Sequence, residues 1–454
     1  MSLKVIILAA GKGTRMRSSL PKVLQPLAQK PLLGHVVETA DSLDCENIVT
    51  VIGHGAEQVA ERMAHPNISF AMQEEQLGTG HAVQQAMPHF SDEDTVLVLY
   101  GDVPLTRAET LQDLLSLVDE QHPLALLTIN LEDATGYGRI VRDVHHAVQA
   151  IVEEKDASPA EKSIQEVNTG ILAASGRYLR QWLGRLSSDN AQGEYYLTDI
   201  IAMCVADGFE VHTTQPESEI EVLGVNNKMQ LQALERRYQQ ALAEELMVQG
   251  VTLIDASRLD IRGRLDVGQD VQIDVNVVFE GQVTLGNNVV IEANCVIKDA
   301  EIADNTVIHA FSHIESATIG QACQIGPYAR LRPGTELAEG VKIGNFVETK
   351  KAQIGRGSKV NHLSYVGDTV MGQEVNIGAG TITCNYDGVN KHQTIIGDHV
   401  FVGSDTQLVA PVTVHDGATI GAGSTITKDA PADTLSLSRS KQISFKDWQR
   451  PVKK

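Results

Sequence analysis

The first half of the chain alternates short apolar runs with amphipathic helical patterns. Apolar runs stand at Ile48–Ile52, Thr95–Tyr100 and Ala125–Asn130, and segments with helical spacing of apolar residues separate them. This alternation is typical of βαβ units, in which helices connect parallel strands and cover the sheet. We therefore predict an α/β domain with a largely parallel sheet over residues 1–226.

A single long amphipathic helix is predicted next. Its apolar residues recur at spacings of three and four, at Leu231, Leu234, Tyr238, Leu242 and Leu246. Charged residues stand between them, and Gly250 is a typical C-terminal stop. The pattern predicts a helical arm over residues 227–249, roughly 35 Å long at 1.5 Å per residue.

Beyond Gly250 the apolar period changes to six residues. The periodic positions are Val267, Ile273, Phe279, Leu285, Ile291, Ile297, Ile302, Ile308, Ile314, Ile319, Ile325, Leu331, Leu337, Ile343, Ile396, Val402, Leu408, Val414, Ile420 and Ile426. A hexapeptide period is the pattern of a parallel β-helix, in which each inward side chain stacks on its equivalent one coil away.

We predict a left-handed β-helix over residues 250–454, with a less regular tail after Lys428. One long break interrupts the period, at residues 378–394. An excursion from a rigid solenoid is where function is expected.

Composition excludes several classes of protein. Hydrophobic residues make up 42% and charged residues 21%, and no apolar run approaches the roughly 18 residues of a membrane span. The start shows no signal peptide, and five scattered cysteines without a Cys-x-x-Cys pair fit a reducing cytoplasm. The net charge of -21 disfavours binding to nucleic acid or anionic lipid, so any phosphate site must rely on local cations and backbone N–H groups.

A glycine-containing turn follows the first predicted strand. Val5–Ala9 leads into the sequence Ala-Gly-Lys-Gly-Thr-Arg-Met at 10–16, which exposes backbone N–H groups to phosphate, although an ordinary strand-to-helix turn can look the same. Together with Pro-Lys-Val-Leu at 21–24, it resembles the signature of sugar-phosphate nucleotidyltransferases, which have a Rossmann-like fold. The resemblance implies that Arg15 and Lys22 neutralise a triphosphate. It also implies nucleotide contacts from Leu8, Ala9, Ala10 and Gly11.

Two further segments fit this family. The loop at 73–82 resembles its base-recognition loop, with Gln73, Gly78 and Thr79 reading uracil. Asp102 ends an apolar strand, where open α/β sheets bind ligands, and by resemblance it holds Mg²⁺. Without that context, an ordinary turn-forming Asp is an equal alternative. The neighbouring nucleotide positions of the family fall on Tyr100 and Gly101.

The family's sugar-binding positions match Gly138, Glu153, Asn168 and Asn226, the last also as a second metal ligand. The implied reaction is in-line attack of a sugar phosphate on the α-phosphorus of UTP, with pyrophosphate leaving. Mg²⁺, Arg15 and Lys22 then supply the charge stabilisation, and no proton-transfer residue is needed. His54 and His81 are accordingly interpreted as structural or near-site residues.

Polar residues in the β-helix recur about one coil apart. Arg332, Lys350, His362 and Tyr365 are spaced so that stacking could bring them together, and Asn376 follows. Alone, each is an ordinary surface residue. With the segment at 378–388, they resemble the acetyltransferase domain of bifunctional N-acetylglucosamine-1-phosphate uridyltransferases/glucosamine-1-phosphate acetyltransferases, and this resemblance covers essentially the whole chain.

The resemblance assigns roles to this second cluster. It makes His362 the general base that takes a proton from the glucosamine amine as the amine attacks acetyl-CoA. The glucosamine-1-phosphate positions are Arg332, Lys350, Tyr365, Asn376 and Lys391. The acetyl-CoA positions are Ala379, Asn385, Tyr386, Ser404, Ala422 and Arg439. The resemblance also implies a homotrimer with this site between subunits.

Three alternatives remain open at this point. The β-helix could serve only to assemble the oligomer of a uridyltransferase. The protein could be a non-catalytic sugar-nucleotide sensor. A β-helix metalloenzyme would need about three converging histidines, and the candidates are His309, His313, His362 and His392.

Overall fold

A computed structural model describes residues 2–453, which form two compact units divided between residues 238 and 239. The division falls inside the long helix, which spans Lys228–Val248 where 227–249 was predicted. The predicted domain boundaries at 226 and 249 lie on either side of it. Over residues 2–453, no helix is both long and apolar enough to cross a membrane.

The first unit is an α/β domain. Its strands are β1 (Leu3–Leu8), β2 (Pro26–Leu27), β3 (Lys30–Pro31), β4 (Asn47–Ile52), β5 (Ile68–Met72), β6 (Thr95–Tyr100), β7 (Leu124–Asn130), β8 (Arg139–Arg142), β9 (Val148–Val152), β10 (Glu166–Ser175) and β11 (His212–Thr214). Its helices are α1 (Leu32–Asp41), α2 (Ala56–Arg62), α3 (Thr79–Ala86), α4 (Ala108–Ser116), α5 (Gly176–Leu183), α6 (Asp199–Ala206) and the first half of α7 (Lys228–Val248).

The main sheet has the strand order β11-β7-β10-β6-β1-β4-β5, with β8 and β9 attached beside β10. β1 pairs in parallel with β4 and β6, whereas β10 runs antiparallel to β6 and β7. Val5, Ile6 and Ile7 are fully buried because helices cover both faces of the central strand. The predicted α/β class and its largely parallel sheet are confirmed.

The second unit is a parallel β-helix. Within the described residues, one of its sheets contains eleven short strands: Thr252–Leu253, Gln272–Ile273, Val290–Ile291, Val307–Ile308, Gln324–Ile325, Lys342–Asn345, Lys359–His362, Asn376–Ile377, Phe401–Val402, Thr419–Ile420 and Leu435–Ser436. Successive strands pair in parallel, as Ile308 with Ile325 and Ile343 with Val360. One coil therefore takes 17 or 18 residues.

The other strands of this unit form a second sheet that turns the corners of the coil. It contains fourteen strands within residues 2–453: Leu259–Val267, Val277–Leu285, Val296–Ile302, His313–Glu315, Ala317–Ile319, Arg330–Leu331, Thr335–Leu337, Glu348–Ile354, Tyr365–Met371, Ile382–Cys384, Thr394–Ile396, Gln407–Val409, Val412–Val414 and Thr425–Ile426.

The aliphatic positions of the six-residue period form one continuous core inside the coil. All of the predicted inward positions are buried except Val267, which is half-buried. Two inward positions carry threonine, Thr349 and Thr383, and both are buried. Thr349 satisfies its hydroxyl through a 3.0 Å hydrogen bond with the hydroxyl of Thr335.

The excursion is shorter than the 378–394 predicted from the break in the period. Ile377 pairs with Val402, 25 residues later, so this coil carries extra residues. Ile382 nevertheless pairs with both Tyr365 and Gln407 and stays within the coil. The extra residues therefore lie between Cys384 and Thr394. The prediction was too long because Thr383 fills a core position with a polar residue.

The second half of α7 covers the first coil of the β-helix. Ala243 and Leu246 are buried in the core of the coil. The amide of Gln239 donates to the carbonyl of Ile261 at 2.8 Å, and its oxygen accepts from the N–H of Ile261 at 2.7 Å. Gln239 thus satisfies backbone groups of an edge strand that would otherwise be open to pairing with another chain.

We expect Ile325→Ala to lower the free energy of unfolding of the β-helix by about 2–5 kcal/mol, because a fully buried stacked side chain leaves a cavity. Urea unfolding followed by circular dichroism measures the change. The matched control is Gln324→Ala, an exposed change in the same strand, which should stay within about 0.5 kcal/mol. Equal effects of the two changes would contradict the stacked core.

Candidate active sites

A cavity of about 320 Å³ opens at the carboxyl ends of β1 and β6 in the first unit. The N–H of Gly101 donates to the carbonyl of Leu8, which ties these two strand ends together. The predicted nucleotide residues that line the cavity are Leu8, Ala9, Ala10, Gly11, Lys22, Gln73, Gly78, Thr79 and Tyr100. Arg15 and Gly101 are outside this lining, although both belong to segments that border it.

The turn after β1 presents free backbone donors. Within residues 2–453, the N–H groups of Gly11, Lys12 and Gly13 form no hydrogen bond. Gly13 has a φ of 58°, and a Cβ there would stand 2.7 Å from Cβ of Lys22. Glycine is therefore required for this turn to approach Lys22. The arrangement is a cradle of N–H groups of the kind that binds phosphate.

Two oxygen ligands converge beside this turn. The ammonium of Lys22 donates to Oδ2 of Asp102 at 2.5 Å and to Oδ1 of Asn226 at 3.4 Å. Arg15 also donates to Oδ1 of Asn226, at 3.0 Å. The N–H of Val225 donates to the carbonyl of Asp102, which fixes the two ligand-bearing segments together. Carboxylate and amide oxygens are hard ligands suited to Mg²⁺, and the Lys22 ammonium stands in for a cation between them.

The predicted base-recognition loop is held by its own side chains. The amide of buried Gln73 donates to the carbonyl of Gly78 at 3.1 Å and lies 3.1 Å from Nδ1 of His81. The other ring nitrogen of His81 lies 3.1 Å from Nε2 of Gln85. His81 thus has structural partners on both sides.

Tyr100 faces the same cavity from the end of β6. Desolvation raises the pKa of its phenol well above the usual value, and the nearby carboxylates of Glu153 and Asp102 add to the rise. Its hydroxyl therefore stays protonated and able to donate a hydrogen bond. A Cβ at Gly170 would stand 2.6 Å from the Tyr100 ring, so this glycine lets β10 approach it.

Three of the predicted sugar-binding residues lie together beside β9. Thr198 donates to the carboxylate of Glu153 at 3.0 Å, and burial raises the pKa of Glu153 above its usual value. A Cβ at Gly138 would stand 3.5 Å from both oxygens of Glu153. The N–H of Asn168 donates to the carbonyl of Gly138 at 2.9 Å. Asn226, the fourth predicted residue, lies instead with Asp102 and Lys22.

The second site is a cluster of cations on one face of the β-helix. The guanidinium of Arg332 donates to Glu348 at 2.8 Å. The ammonium of Lys391 lies beside that of Lys350 and lowers the pKa of Lys350, and Arg332 contributes further. Adjacent like charges of this kind form a binding site for an anion.

Tyr365 borders this cationic cluster. Its hydroxyl accepts a hydrogen bond from the amide of Asn385 at 3.4 Å, and that amide also donates to Asp368 at 2.5 Å. A Cβ at Gly367 would stand 2.4 Å from the Tyr365 hydroxyl oxygen, so glycine is required under the ring.

The excursion that carries Lys391 is a small ordered hairpin. Tyr386 and Lys391 form an antiparallel bridge. The carboxylate of Asp387 accepts from the N–H groups of Val389 and Asn390 and pairs with His392 at 2.7 Å. These contacts hold the pKa of Asp387 well below its usual range. The position of Lys391 is thereby fixed.

His362 lies at an exposed corner of the same coil. Its Nδ1 is 3.0 Å from Oδ1 of Asn345, its partner one coil before. From this corner the acetyl-CoA positions of the family continue one per coil. Backbone hydrogen bonds from Gly380 to His362, from Asp405 to Ala379 and from Gly423 to Ser404 mark the steps. Arg439 donates to the carbonyl of Ala422 at 3.0 Å and ends this row.

The structure does not bring all predicted residues of the second site into contact. Asn376 lies in the eleven-stranded sheet, whereas Arg332, Lys350 and Tyr365 belong to or border the other. Within residues 2–453 of one chain, no hydrogen bond or ion pair joins the ring of His362 to those three residues. The His362 row and the Lys350 cluster lie on two sides of one corner.

The histidines proposed for a metalloenzyme have other partners. His309 pairs with Glu292 at 3.0 Å, His392 with Asp387, and His362 with Asn345. Within the described part of a single chain, these rings and His313 do not form a group of three metal ligands.

Several residues of the two sites were not predicted. Gln76 and Glu194 line the first cavity, and no motif in the sequence marks them. Asn345 and Glu348 contact His362 and Arg332. A one-coil count could have found them, because each stands 17 residues before a predicted site residue, His362 and Tyr365.

Three protein families match parts of the chain. The MobA-like NTP transferase domain matches residues 5–167. The GMPPB C-terminal domain matches residues 261–347. The bacterial transferase hexapeptide, in six repeats, matches residues 393–428 and confirms the predicted hexapeptide β-helix.

Full-length relatives share the whole chain. The "Bifunctional protein GlmU" of Hydrogenovibrio crunogenus is 73% identical over 453 residues and covers 100% of both chains. The proteins of the same name from Cellvibrio japonicus and Stutzerimonas stutzeri are 61% and 58% identical, again over 100% of both chains.

We expect Lys391→Met to raise the pKa of Lys350 towards 10.5, because removing the neighbouring like charge stabilises the ammonium form. NMR titration of ¹³C-methylated lysines measures this pKa. The control is Lys342→Met, which removes an exposed lysine from the other sheet and should leave the titration of Lys350 unchanged. An unchanged pKa in Lys391→Met would show that the two ammonium groups do not interact.

Proposed function

Because the chain belongs to the GlmU family of bifunctional proteins, we propose that its two sites carry the two steps of this family's synthesis. The chain is a bifunctional transferase that makes UDP-N-acetylglucosamine for cell-wall precursor synthesis. It transfers acetyl from acetyl-CoA to glucosamine-1-phosphate, and uridylyl from UTP to the resulting N-acetylglucosamine-1-phosphate with release of pyrophosphate. The supporting observation is that each unit holds its own cluster of phosphate-binding groups.

The cavity of the first unit is assigned to uridylyl transfer. Free N–H groups at Gly11 to Gly13 and the charges of Arg15 and Lys22 suit the phosphates of UTP. Gln73 and the backbone of Gly78 and Thr79 are assigned to uracil. Phosphoryl transfer of this kind is catalysed by positioning and charge stabilisation, and both are available here.

Asp102 and Asn226 would hold Mg²⁺, because their oxygens already share one cationic partner, Lys22. The ion would neutralise phosphate charge as pyrophosphate leaves. Release of Lys22 from Asp102 would free its ammonium to contact phosphate oxygens. The same side chain thus serves as a counter-ion in the ligand-free site and as a phosphate ligand in the loaded one.

The acceptor sugar is assigned to the pocket beside β9. The carboxylate of Glu153 and the amide of Asn168 offer hydrogen bonds to sugar hydroxyls, and Gly138 leaves the space that the ring needs. Tyr100 lies between this pocket and the nucleotide. These positions orient the sugar phosphate towards the α-phosphorus.

The β-helix site is assigned to acetyl transfer. Arg332, Lys350 and Lys391 bind the phosphate of glucosamine-1-phosphate, and Tyr365 and Asn376 orient the sugar. The amine nitrogen attacks the thioester carbonyl, the C–S bond breaks, and His362 accepts the proton that the amine loses. Asn345 bonds Nδ1 of His362, which leaves Nε2 as the basic nitrogen.

The row of small residues beyond His362 fits an extended ligand. Ala379, Ser404 and Ala422 succeed one another at about 4.8 Å per coil, so Arg439 stands roughly 19 Å from His362. Acetyl-CoA is long and carries phosphates far from its thioester. Asn385 and Tyr386 are assigned to its acetyl end and Arg439 to a phosphate.

We propose a homotrimer with the acetyltransferase site between subunits. Phe311, Tyr328 and Phe346 form an exposed ladder with ring centroids 4.9 and 5.3 Å apart. Exposed Leu363 continues the ladder one coil further and adjoins His362. A neighbouring subunit packed on this apolar ladder would reach the catalytic corner.

A cytoplasmic location is proposed because the five cysteines are free and both co-substrates are cytoplasmic metabolites. The competing interpretation, a β-helix that only assembles the enzyme, does not account for like charges held together at Lys350 and Lys391.

We expect Asp102→Asn and His362→Ala each to abolish one activity and spare the other. The first should reduce uridylyl transfer by about 10²-fold or more, because a metal ligand is lost. The second should reduce acetyl transfer by about 10²-fold or more, because the general base is lost. Separate assays of pyrophosphate and coenzyme A release measure the two reactions.

Matched controls are Asp113→Asn and His415→Ala, which change exposed side chains outside both sites. Both controls should retain both activities. Full acetyl transfer by His362→Ala would support the assembly-only interpretation of the β-helix. Pyrophosphate release that is undetectable even in the wild type would instead favour a sugar-nucleotide sensor.

We expect Phe311→Ser combined with Tyr328→Ser to shift the protein from trimer towards monomer, because a subunit contact loses two aromatic rings. Acetyl transfer should fall with the trimer, whereas uridylyl transfer should persist. Analytical ultracentrifugation gives the mass. Val144→Ser, an exposed apolar change in the first unit, is the control. An intact trimer in the double variant would rule out the ladder as the contact.

A further inference from the structure

Two histidines and a glutamate converge at one edge of the first unit, outside the nucleotide cavity. One ligand atom from each of His122, Glu210 and His212 lies within 4.8 Å of the other two. His122 and His212 are partly exposed and Glu210 is exposed, so the group is open to ions from solution. We propose that these three residues form a binding site for a divalent transition-metal ion such as Zn²⁺.

The orientation of His122 supports this assignment. Its Nδ1 lies 3.0 Å from a carboxylate oxygen of Asp119. An ionised carboxylate only accepts hydrogen bonds, so Nδ1 carries the proton and the lone pair is on Nε2. A carboxylate that orients a histidine in this way is the usual outer partner of a metal-bound imidazole.

The segments that carry the ligands are held in place by the backbone. The carboxylate of Asp119 also accepts from the N–H groups of Gln121 and His122, both at 2.7 Å, which makes the segment a tight turn. His212 begins β11, which pairs in parallel with β7, so that His212 stands opposite Ala125. His122 precedes β7 by two residues. Strand pairing therefore brings together ligands from distant parts of the sequence.

The site is remote from the nucleotide cavity by topology. β6 and β7 run in the same direction, because each is antiparallel to β10. The cavity lies at the carboxyl end of β6, whereas His122 and His212 lie at the amino ends of β7 and β11. The two sites are thus at opposite edges of the sheet.

The local charges favour a cation. Asp119, Glu120 and Glu210 are acidic and exposed. The nearby guanidinium of Arg142 contacts Thr213, but it is already paired with Glu166 at 2.7 and 2.6 Å. It therefore does not replace a metal as the partner of Glu210.

The ligand set selects the class of ion. Imidazole nitrogen suits Zn²⁺ and its neighbours in the first transition row, whereas Mg²⁺ prefers oxygen alone. Metal–ligand distances of about 2.0–2.1 Å require ligand atoms no more than about 4 Å apart, so the 4.8 Å group must close by less than about 1 Å. The two imidazoles stack with ring centroids 4.0 Å apart, and metal binding turns them out of this stack.

Binding would fasten the end of the sheet. β11 has three residues and lies at the end of the strand order, with β7 as its neighbour. A metal bridge from Glu210 and His212 to His122 ties this short strand to the turn before β7. Because the ion binds the folded arrangement, it should stabilise the first unit by mass action.

The test uses the full-length chain without a histidine tag and with saturating Mg²⁺ present. Competition with a chromophoric chelator measures Zn²⁺ bound, and thermal unfolding measures stability. We expect His122→Gln combined with His212→Gln to lose one tightly bound Zn²⁺ per chain relative to the wild type. Zn²⁺ should raise the melting temperature of the wild type only. Asp119→Asn should weaken binding by about 10-fold or more.

The matched control is His145→Gln combined with His146→Gln, an exposed pair in the turn between β8 and β9, which should bind Zn²⁺ like the wild type. Uridylyl transfer should be unchanged in every variant, which verifies folding. Equal Zn²⁺ binding by the wild type and by the His122/His212 double variant would overturn the proposal, whether both bind or neither does. Unchanged affinity in Asp119→Asn would refute its orienting role.

Discussion

The stacking of one coil on the next is the constraint on which the second unit depends. Parallel pairing at 17 or 18 residues per coil makes neighbours of residues that share a position in successive coils. The aliphatic residues that face inward drive this stacking, and the same register aligns what faces outward. Asn345, His362 and Ala379 therefore form a row without any further device. A functional surface on such a scaffold is a set of rows, and the inserted hairpin that carries Lys391 departs from them.

The first unit reaches a comparable result by a different physical route. Its ligand-binding groups come from turns at the carboxyl ends of parallel strands, where the chain leaves the sheet with unpaired N–H groups. Val225 bonding to Asp102 and Gly13 approaching Lys22 are the contacts that assemble it. Each joins segments far apart in sequence, so the site depends on sheet order rather than on a repeat.

This difference explains what could be predicted from the sequence. The six-residue period predicted the β-helix and nearly all of its core positions, because the repeat is itself the structural unit. It overestimated the excursion because Thr383, a polar residue, fills a core position. Asn345 was missed although a one-coil count leads to it. The group of His122 and His212 could not be predicted, since only the pairing of β7 with β11 brings them together, and no local pattern encodes that pairing.

The two sites also differ in how they hold charge before a ligand arrives. Lys22 is paired with Asp102, so a phosphate must compete with a carboxylate for it, and a metal ion that occupies Asp102 removes that competition. Lys350 and Lys391 repel one another instead, and a bound phosphate relieves the repulsion directly. In a chain with a net charge of -21, the β-helix site can attract its sugar phosphate with cations alone. The nucleotide site needs an additional cation to release its lysine, which gives a physical reason for metal dependence in one unit and not in the other.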